Sequence, residues 1–388
     1  MASVAFPMHP ETLAWVKRVA QEQLADPKIL DILTAWESGL KKPTLSQVQR
    51  ISQKVHIPFG YFFLKKKPAE HFRVMEFRTL DSVEHQKESL ELKDTVAQMT
   101  AIQDWMREYK RAEGYPPLEF VGKCNGMENC DDVLQMVRAT LELKEDWFEE
   151  IRNEELAFRF FRQKCEDHGI IVMQNGVVGN NTHRPLSLEE FRAFALTDDF
   201  APLIFINARD HICGRIFSLL HEIVHIFLGK DNIFNLTENS TYFDKKIEQM
   251  CNQVAAEILT PQKRFIETWK VYEPEGNLML CIKQVAKKFH CSLTVISRRA
   301  LELHYISHEQ YTDFVRIFSA HRKNGKTGAG GDYYNTLASR MDPRFIQLLE
   351  NSIGSGSTTY TEAFRLTGTN RKTFDRLVKD MEKRRMTE

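Results

Sequence analysis

A chain of 388 residues with 42% hydrophobic side chains is long enough for roughly two to four globular domains, each with a core of its own. Its formal net charge of zero excludes a global electrostatic field that would draw the whole protein onto nucleic acid. No apolar run approaches the roughly 18 residues of a membrane helix, and the N-terminus lacks the charged-then-apolar pattern of a secretory signal. We therefore predict a cytoplasmic protein without membrane association.

The seven cysteines are an odd number and follow neither a disulfide framework nor a zinc-ribbon spacing. The closest pair in sequence, Cys124 and Cys130, is separated by five residues. We therefore predict free thiols in a reducing compartment.

Residues 1–70 show helical periodicity and are predicted to form a helical N-terminal domain. The run Trp36–Thr44 resembles the end of the recognition helix and the following loop of repressor-type (XRE-like) helix-turn-helix domains, and Lys65–Lys67 adds a basic end. That resemblance implies a helix laid in the DNA major groove. The compact glycine-containing signature of such domains is absent around Glu22–Lys28, so DNA binding and a purely structural role remain equal alternatives.

Residues 71–150 are predicted to be a helical linker region. It contains a docking segment at Phe77–Thr79, a long amphipathic helix over Leu90–Met106, and a helix that Asp131 caps and that runs to Leu141.

A further helix is predicted over Glu154–Asp167, followed by strands at Ile170–Met173 and Leu203–Ile206 with a loop at Thr182–Pro185 between them. We expect this small sheet to flank the helices that follow and to hold an extended peptide by backbone pairing.

Arg192 and Asn207 are weaker site candidates in this region. Their alternatives, a surface salt bridge and a turn at the end of a strand, are at least as well supported by the sequence.

The strongest motif lies in the apolar stretch Ile216–Gly229, whose strongly polar members are His221, Glu222 and His225. Burying these groups costs several kcal/mol (about 2–7 for an unpaired polar group) unless they are hydrogen-bonded or bind a metal. Residues i and i+4 share a helix face, so both imidazoles can reach one ion. Glu222 is displaced along the helix and can address a water on that ion as a general base, the H-E-x-x-H arrangement of zinc peptidases.

A third ligand is expected from the next helix, which runs from Asp244 and stops before Pro261. Glu248 stands at the edge of its apolar stripe, with Asn252 one turn later as a residue that would orient a ligand by a hydrogen bond. Glu248 is favoured as the third ligand, and Glu257 on the same helix is the competing candidate.

These two helices resemble the metallopeptidases named for ImmA and IrrE, whose pattern is H-E-x-x-H-x-x-x-G followed by E-x-x-A-N-x-x-A-x-x-x-L-x-P. His221–Gly229 and Glu248–Pro261 match it, with Cys251 in place of the usual alanine, a change that we expect to have no effect. The resemblance covers about residues 150–305. It implies Zn²⁺ bound by His221, His225 and Glu248, with Glu222 as the base.

Two functions follow from this resemblance. The first is a zinc-dependent endopeptidase that cleaves a specific protein, such as a repressor, and thereby regulates transcription or a stress or mobile-element response. The second is a DNA-binding regulator or antitoxin that keeps the peptidase core as a scaffold for a cognate toxin. DNA would be bound through the N-terminal domain.

Two helical segments follow the metal-binding pattern. Ile282–Leu301 is predicted to form a helix, a turn and a second helix capped by Ser292. Arg298 and Arg299 could contact phosphate or a substrate protein, and packing of a helical subdomain is the favoured alternative. Beyond a predicted flexible linker at Asn324–Gly331, residues 332–388 are predicted to form a C-terminal helical module. This module is either another helix-turn-helix or a cap for a partner.

The predicted fold class is therefore α+β and predominantly α. A helical domain (1–70) and a helical linker region (71–150) precede a zincin-like core with a small sheet (151–305). The C-terminal helical module (332–388) completes the chain.

Overall fold

The computed structural model describes residues 8–23, 27–55, 62–63, 89–229, 242–273, 276–322 and 333–387. Within them, sixteen helices accompany a three-stranded sheet and a two-stranded hairpin, which confirms the α+β, predominantly α class. The helices before the sheet are α1 (Pro10–Gln23), α2 (Pro27–Glu37), α3 (Leu45–Lys54), α4 (Leu90–Ala112), α5 (Cys130–Thr140) and α6 (Glu154–Asp167). The strands are β1 (Ile171–Asn175), β2 (Val177–Val178), β3 (Asn181–Pro185), β4 (Ala193–Leu196) and β5 (Leu203–Asn207).

Ten helices follow the sheet. They are α7 (Ile212–Leu228), α8 (Tyr242–Leu259), α9 (Gln262–Tyr272), α10 (Leu278–Lys288), α11 (Leu293–Glu302), α12 (His308–Arg322), α13 (Tyr333–Arg340), α14 (Pro343–Gly354), α15 (Tyr360–Thr367) and α16 (Arg371–Thr387). In the described part of the chain, no helix combines the length and the apolar character that a membrane span requires.

Helices α1–α3 belong to a first compact unit, and the residues from 95 onward belong to a second. The first unit buries an apolar cluster to which all three helices contribute, including Val16, Leu33 and Ile51. Thr44 caps α3, because its side chain accepts from the Gln47 backbone N–H while the Gln47 side chain accepts from the Thr44 N–H. Three helices are present as predicted, and their helix-turn-helix identity stays a prediction. Lys65–Lys67 and Phe77–Thr79 lie outside the described residues.

The sheet of the second unit has the order β1-β5-β4. Strand β5 pairs in parallel with β1, Ile171 opposite Leu203, and antiparallel with β4, Phe194 opposite Phe205. All five residues of β5 are buried, as expected for a central strand covered on both faces.

Two parts of the sheet region differ from the sequence prediction. The predicted loop at Thr182–Pro185 is wrong, because β3 covers these residues and pairs antiparallel with β2 in a short hairpin. Four of the five β3 residues are exposed, so no alternation of apolar and polar residues marks this strand in the sequence. Strand β4 was not predicted either, because its four residues are too few to show a period.

Helix α7 is the centre of the second unit. Every residue from Ile216 to Leu228 is buried, and the helix packs against α6, α8, β4 and β5. Gly229 ends it at φ +98°, where a Cβ would overlap the Cα of Gly122. This close approach lets the backbone N–H of Gly122 donate to the Ile226 carbonyl at 3.0 Å and that of Cys124 to the Phe227 carbonyl at 2.8 Å. The last carbonyls of the helix are thus satisfied by a neighbouring turn.

The C-terminal helices pack on the outer edge of β1. The Val172 N–H donates to Asp342 Oδ2 at 3.0 Å, and the Val172 carbonyl accepts from Arg162 Nη2 at 3.1 Å. The Gln174 side chain reaches the Ser339 carbonyl at 2.8 Å. The outward backbone groups of Val172 are therefore occupied by contacts within the chain, and β4 forms the other edge of the sheet.

Two predicted helix starts can be compared with the structure. The cap of α5 is Asn129, whose side chain accepts from the Asp131 N–H at 3.0 Å, so the predicted cap Asp131 lies in the first turn instead. Ser292 caps α11 as predicted, since its hydroxyl accepts from the Val295 N–H at 3.2 Å. The predicted linker at Asn324–Gly331 lies outside the described residues.

Candidate metal centre

The two histidines of the motif face the same point. His221 and His225 lie one turn apart on α7, their side chains are almost completely buried, and their Nε2 nitrogens are 3.0 Å apart. This is the arrangement that i and i+4 spacing on a helix predicts. Two imidazole nitrogens so close together in an apolar helix form the start of a ligand set.

Glu248 of α8 places one carboxylate oxygen beside each of these nitrogens. Its Oε2 lies 3.4 Å from His221 Nε2, and its Oε1 lies 3.1 Å from His225 Nε2. Zinc bonds of about 2.0–2.1 Å in a tetrahedral site place ligand atoms roughly 3.3 Å apart. Each of the three separations, 3.0–3.4 Å, is therefore close to the spacing between two ligand atoms of one tetrahedral metal ion.

The charges of the three side chains balance one another. Burial alone raises the pKa of the Glu248 carboxyl, but hydrogen bonds and positive charge from His221 and His225 outweigh it and hold that pKa far below its usual range. Burial lowers the pKa of His225, whereas Cys251, Glu248 and Glu222 raise it, with a net upward shift. A carboxylate and imidazoles held together in this way can exchange their shared protons for a cation.

Glu222 lies next to His221 in the chain, and only 3% of its surface is exposed. Its charge acts on His225 and on Cys251, which places its carboxylate within the electrostatic reach of the centre. A buried carboxylate beside a metal position is suited to accept a proton from a bound water.

The other two α8 candidates lie elsewhere. Glu257 forms an ion pair with Arg299 of α11 and accepts a hydrogen bond from the Gln262 N–H at 2.8 Å. Asn252 is exposed to solvent. Its role in orienting a ligand stays a prediction. Tertiary packing therefore brings Glu248 to the histidines and directs Glu257 to an arginine.

Arg192 and Asn207 hold the sheet and α7 in place. Arg192 Nη1 donates to Asp210 Oδ2 at 2.8 Å, and both side chains are buried, so this is not the surface salt bridge that the sequence allowed. The Asn207 amide donates to the Phe191 carbonyl at 3.1 Å, and its oxygen accepts from the Arg209 N–H at 3.2 Å. Both residues support the strand ends rather than the metal centre.

Cys251 is the site residue that sequence reasoning missed. It is completely buried, and its sulfur and one ring nitrogen each of His221 and His225 all lie within 4.8 Å of one another. The signal was its position three residues after Glu248, because residues i and i+3 share a helix face. None of the seven cysteines, all within the described residues, forms a disulfide, as predicted.

Two histidines and a glutamate on adjacent helices, with a second glutamate inside the H-E-x-x-H motif, are the residue types that zinc peptidases use as ligands and base. Residues 165–301, which contain these side chains, match the family model of the IrrE N-terminal-like domain, a peptidase family. This match supports the assignment of that segment to the ImmA/IrrE family. Residues 341–380 match a domain of unknown function (DUF8813). No curated protein and no solved structure matches the chain.

Proposed function

We propose that this chain is a zinc-dependent endopeptidase whose metal is held by His221, His225 and Glu248. The observation that carries the proposal is a set of close contacts between two different helices. The two Nε2 nitrogens lie 3.0 Å apart, and each lies 3.1–3.4 Å from one oxygen of Glu248. The family match over residues 165–301 supports the same reaction class.

Glu222 is the proton carrier in this proposal. A bound zinc ion would polarise the scissile carbonyl and bring the pKa of a water to about 7. Glu222 takes a proton from the water while the oxygen of the water adds to the carbonyl carbon of the substrate. When the carbon–nitrogen bond breaks, Glu222 passes that proton to the leaving amine. Burial of Glu222 at 3% exposure keeps bulk water away from this transfer.

The substrate in this proposal is a specific protein such as a repressor, cleaved in an extended segment. The position of strand β4 supports an extended substrate. In the sheet order β1-β5-β4, β4 is one edge strand, and it packs on α7, which carries the two histidines. An extended peptide pairs with a sheet edge through backbone hydrogen bonds. Cleavage of a repressor would couple the peptidase to transcription.

The test is co-expression of the chain with the protein encoded beside its gene, followed by mass spectrometry of the products and by metal analysis. Wild type should contain zinc and cut the neighbouring protein at one position. Glu222→Gln should keep the zinc and lose turnover by several orders of magnitude, whereas Glu309→Gln, on an exposed part of α12, should behave like wild type.

Unchanged cleavage by Glu222→Gln would contradict the mechanism. Tight binding of the neighbouring protein or of operator DNA at full zinc content, without any cleavage, would instead favour the regulator or antitoxin.

A further inference from the structure

Cys251 faces the same point as the proposed metal ligands. It lies on α8 three residues after Glu248, its exposed fraction is 0%, and its sulfur lies within 4.8 Å of one ring nitrogen each of His221 and His225. The thiol therefore lies where the apolar core meets the two histidines of the centre.

The distances allow the sulfur to enter the coordination sphere. A zinc–sulfur bond is about 2.3 Å and a zinc–nitrogen bond about 2.0–2.1 Å, so tetrahedral ligands of these types lie roughly 3.5 Å apart. The sulfur and one ring nitrogen each of His221 and His225 already lie within 4.8 Å of one another. The side chains would have to move by about one ångström to bring the sulfur and the nitrogens to that spacing. A small change of side-chain torsion angles is enough for such a movement.

We propose that the Cys251 sulfur is the fourth protein ligand of the metal in the substrate-free protein. This inference rests on the proposed metal centre. Binding breaks the S–H bond and forms a sulfur–metal bond, and the proton is released to solvent. Sites with four protein ligands are closed, whereas catalytic sites keep an open position. A water or a substrate carbonyl therefore reaches the metal only after Cys251 leaves it, so Cys251 controls access to the centre.

X-ray absorption spectroscopy of the zinc-loaded full chain tests the ligand set without relying on activity. Wild type should show one sulfur at about 2.3 Å in addition to nitrogen and oxygen at about 2.0–2.1 Å. Cys251→Ala and the conservative Cys251→Ser should lose the sulfur shell while keeping bound zinc. Cys165→Ala, which removes an equally buried thiol of α6, should keep that shell.

A second measurement tests whether the centre is closed. Acetohydroxamic acid, a small chelator of zinc, should bind Cys251→Ala with a dissociation constant about tenfold lower than that of wild type, a difference of ~1.4 kcal/mol. Equal affinities would overturn the proposed closure.

The outcomes separate this inference from the proposed function. Zinc-loaded wild type with only nitrogen and oxygen neighbours would overturn the inference, leaving Cys251 as a buried neighbour of the two histidines and the peptidase proposal intact. A sulfur shell in a protein that cleaves nothing would support the inference and count against the peptidase. A wild-type chain that takes up no zinc would overturn both.

Discussion

The Oε1 atom of Glu248 lies 3.1 Å from the Nε2 atom of His225, although the two residues belong to different helices. Val254 and Ile258 of α8 are buried in the same apolar core as Leu220 and Val224 of α7. The packing of these side chains fixes the two helices against each other. Hydrophobic burial thus places a carboxylate beside the imidazoles.

The first prediction concerns the metal content of two glutamate variants on α8. Glu248→Gln should lower zinc affinity by at least about tenfold, because an amide is a weaker ligand than a carboxylate and the two histidines lose a negative partner. Equilibrium dialysis with zinc measures this. Glu257→Gln is the matched control, since that carboxylate pairs with Arg299 and should leave zinc binding unchanged. The reverse ranking of the two variants would show that Glu257 is the ligand.

The second prediction concerns metal removal. A ligand that binds only the folded state adds about 2.7 kcal/mol of stability when its concentration is 100 times its dissociation constant. We therefore expect a chelator to lower the Tm of wild type and added zinc to restore it, as measured by differential scanning calorimetry. His221→Ala should show neither response. If wild type and this variant have the same Tm with and without zinc, the folded chain does not bind the ion.

The third prediction concerns the end of α7. Gly229→Ala should cost roughly 2–5 kcal/mol, because alanine is strained at φ +98° and its Cβ would overlap the backbone of Gly122. Chemical denaturation measures this cost. Gly114→Ala is the control, with a similar φ of +75° and no atom within 4 Å of its added Cβ, and should cost only about 1–2 kcal/mol. Equal costs for the two variants would mean that the contact with Gly122 does not matter.

The fourth prediction concerns the buried ion pair between Arg192 and Asp210. Arg192→Met should destabilise the second unit by about 3–5 kcal/mol, because it leaves a buried carboxylate without its cation. Arg298→Met removes an arginine whose side chain is 60% exposed, and its effect should stay within about 0.5 kcal/mol. Urea denaturation of both variants provides the comparison. If Arg192→Met leaves the free energy of unfolding unchanged, the other contacts of Asp210 are sufficient to stabilise its buried carboxylate.

The fifth prediction concerns Lys110, whose ammonium group donates to the Phe200 carbonyl at 2.7 Å. Burial lowers the pKa of Lys110 below its unfolded value, so the unfolded chain binds more protons between the two pKa values. The contribution of Lys110 to stability therefore rises as pH increases towards the unfolded pKa of 10.5. Lys110→Met should remove this rise, as measured by urea denaturation between neutral pH and pH 10. An unchanged slope would mean that the folded and unfolded pKa values of Lys110 are equal.

The pairing of His221 and His225 could be read from the sequence because the geometry of one helix fixes residues four positions apart. The same local reasoning placed α6 over Glu154–Asp167 and the cap of α11 at Ser292. Strands β3 and β4 were not predicted. A strand is recognised by apolar and polar residues that alternate, and this alternation requires a buried face and more than a few residues.

The sequence by itself determined the histidine pair, the helical character of most of the chain and the α+β class, since these depend on neighbours within a few residues. Only the tertiary structure decided that Glu248 rather than Glu257 faces the histidines and that Cys251 lies beside them. It also decided that Asp342 accepts a hydrogen bond from the backbone N–H of Val172 in β1. Each of these contacts joins residues from separate elements. Their positions are fixed by how apolar faces pack against one another, and a local pattern carries no record of that packing.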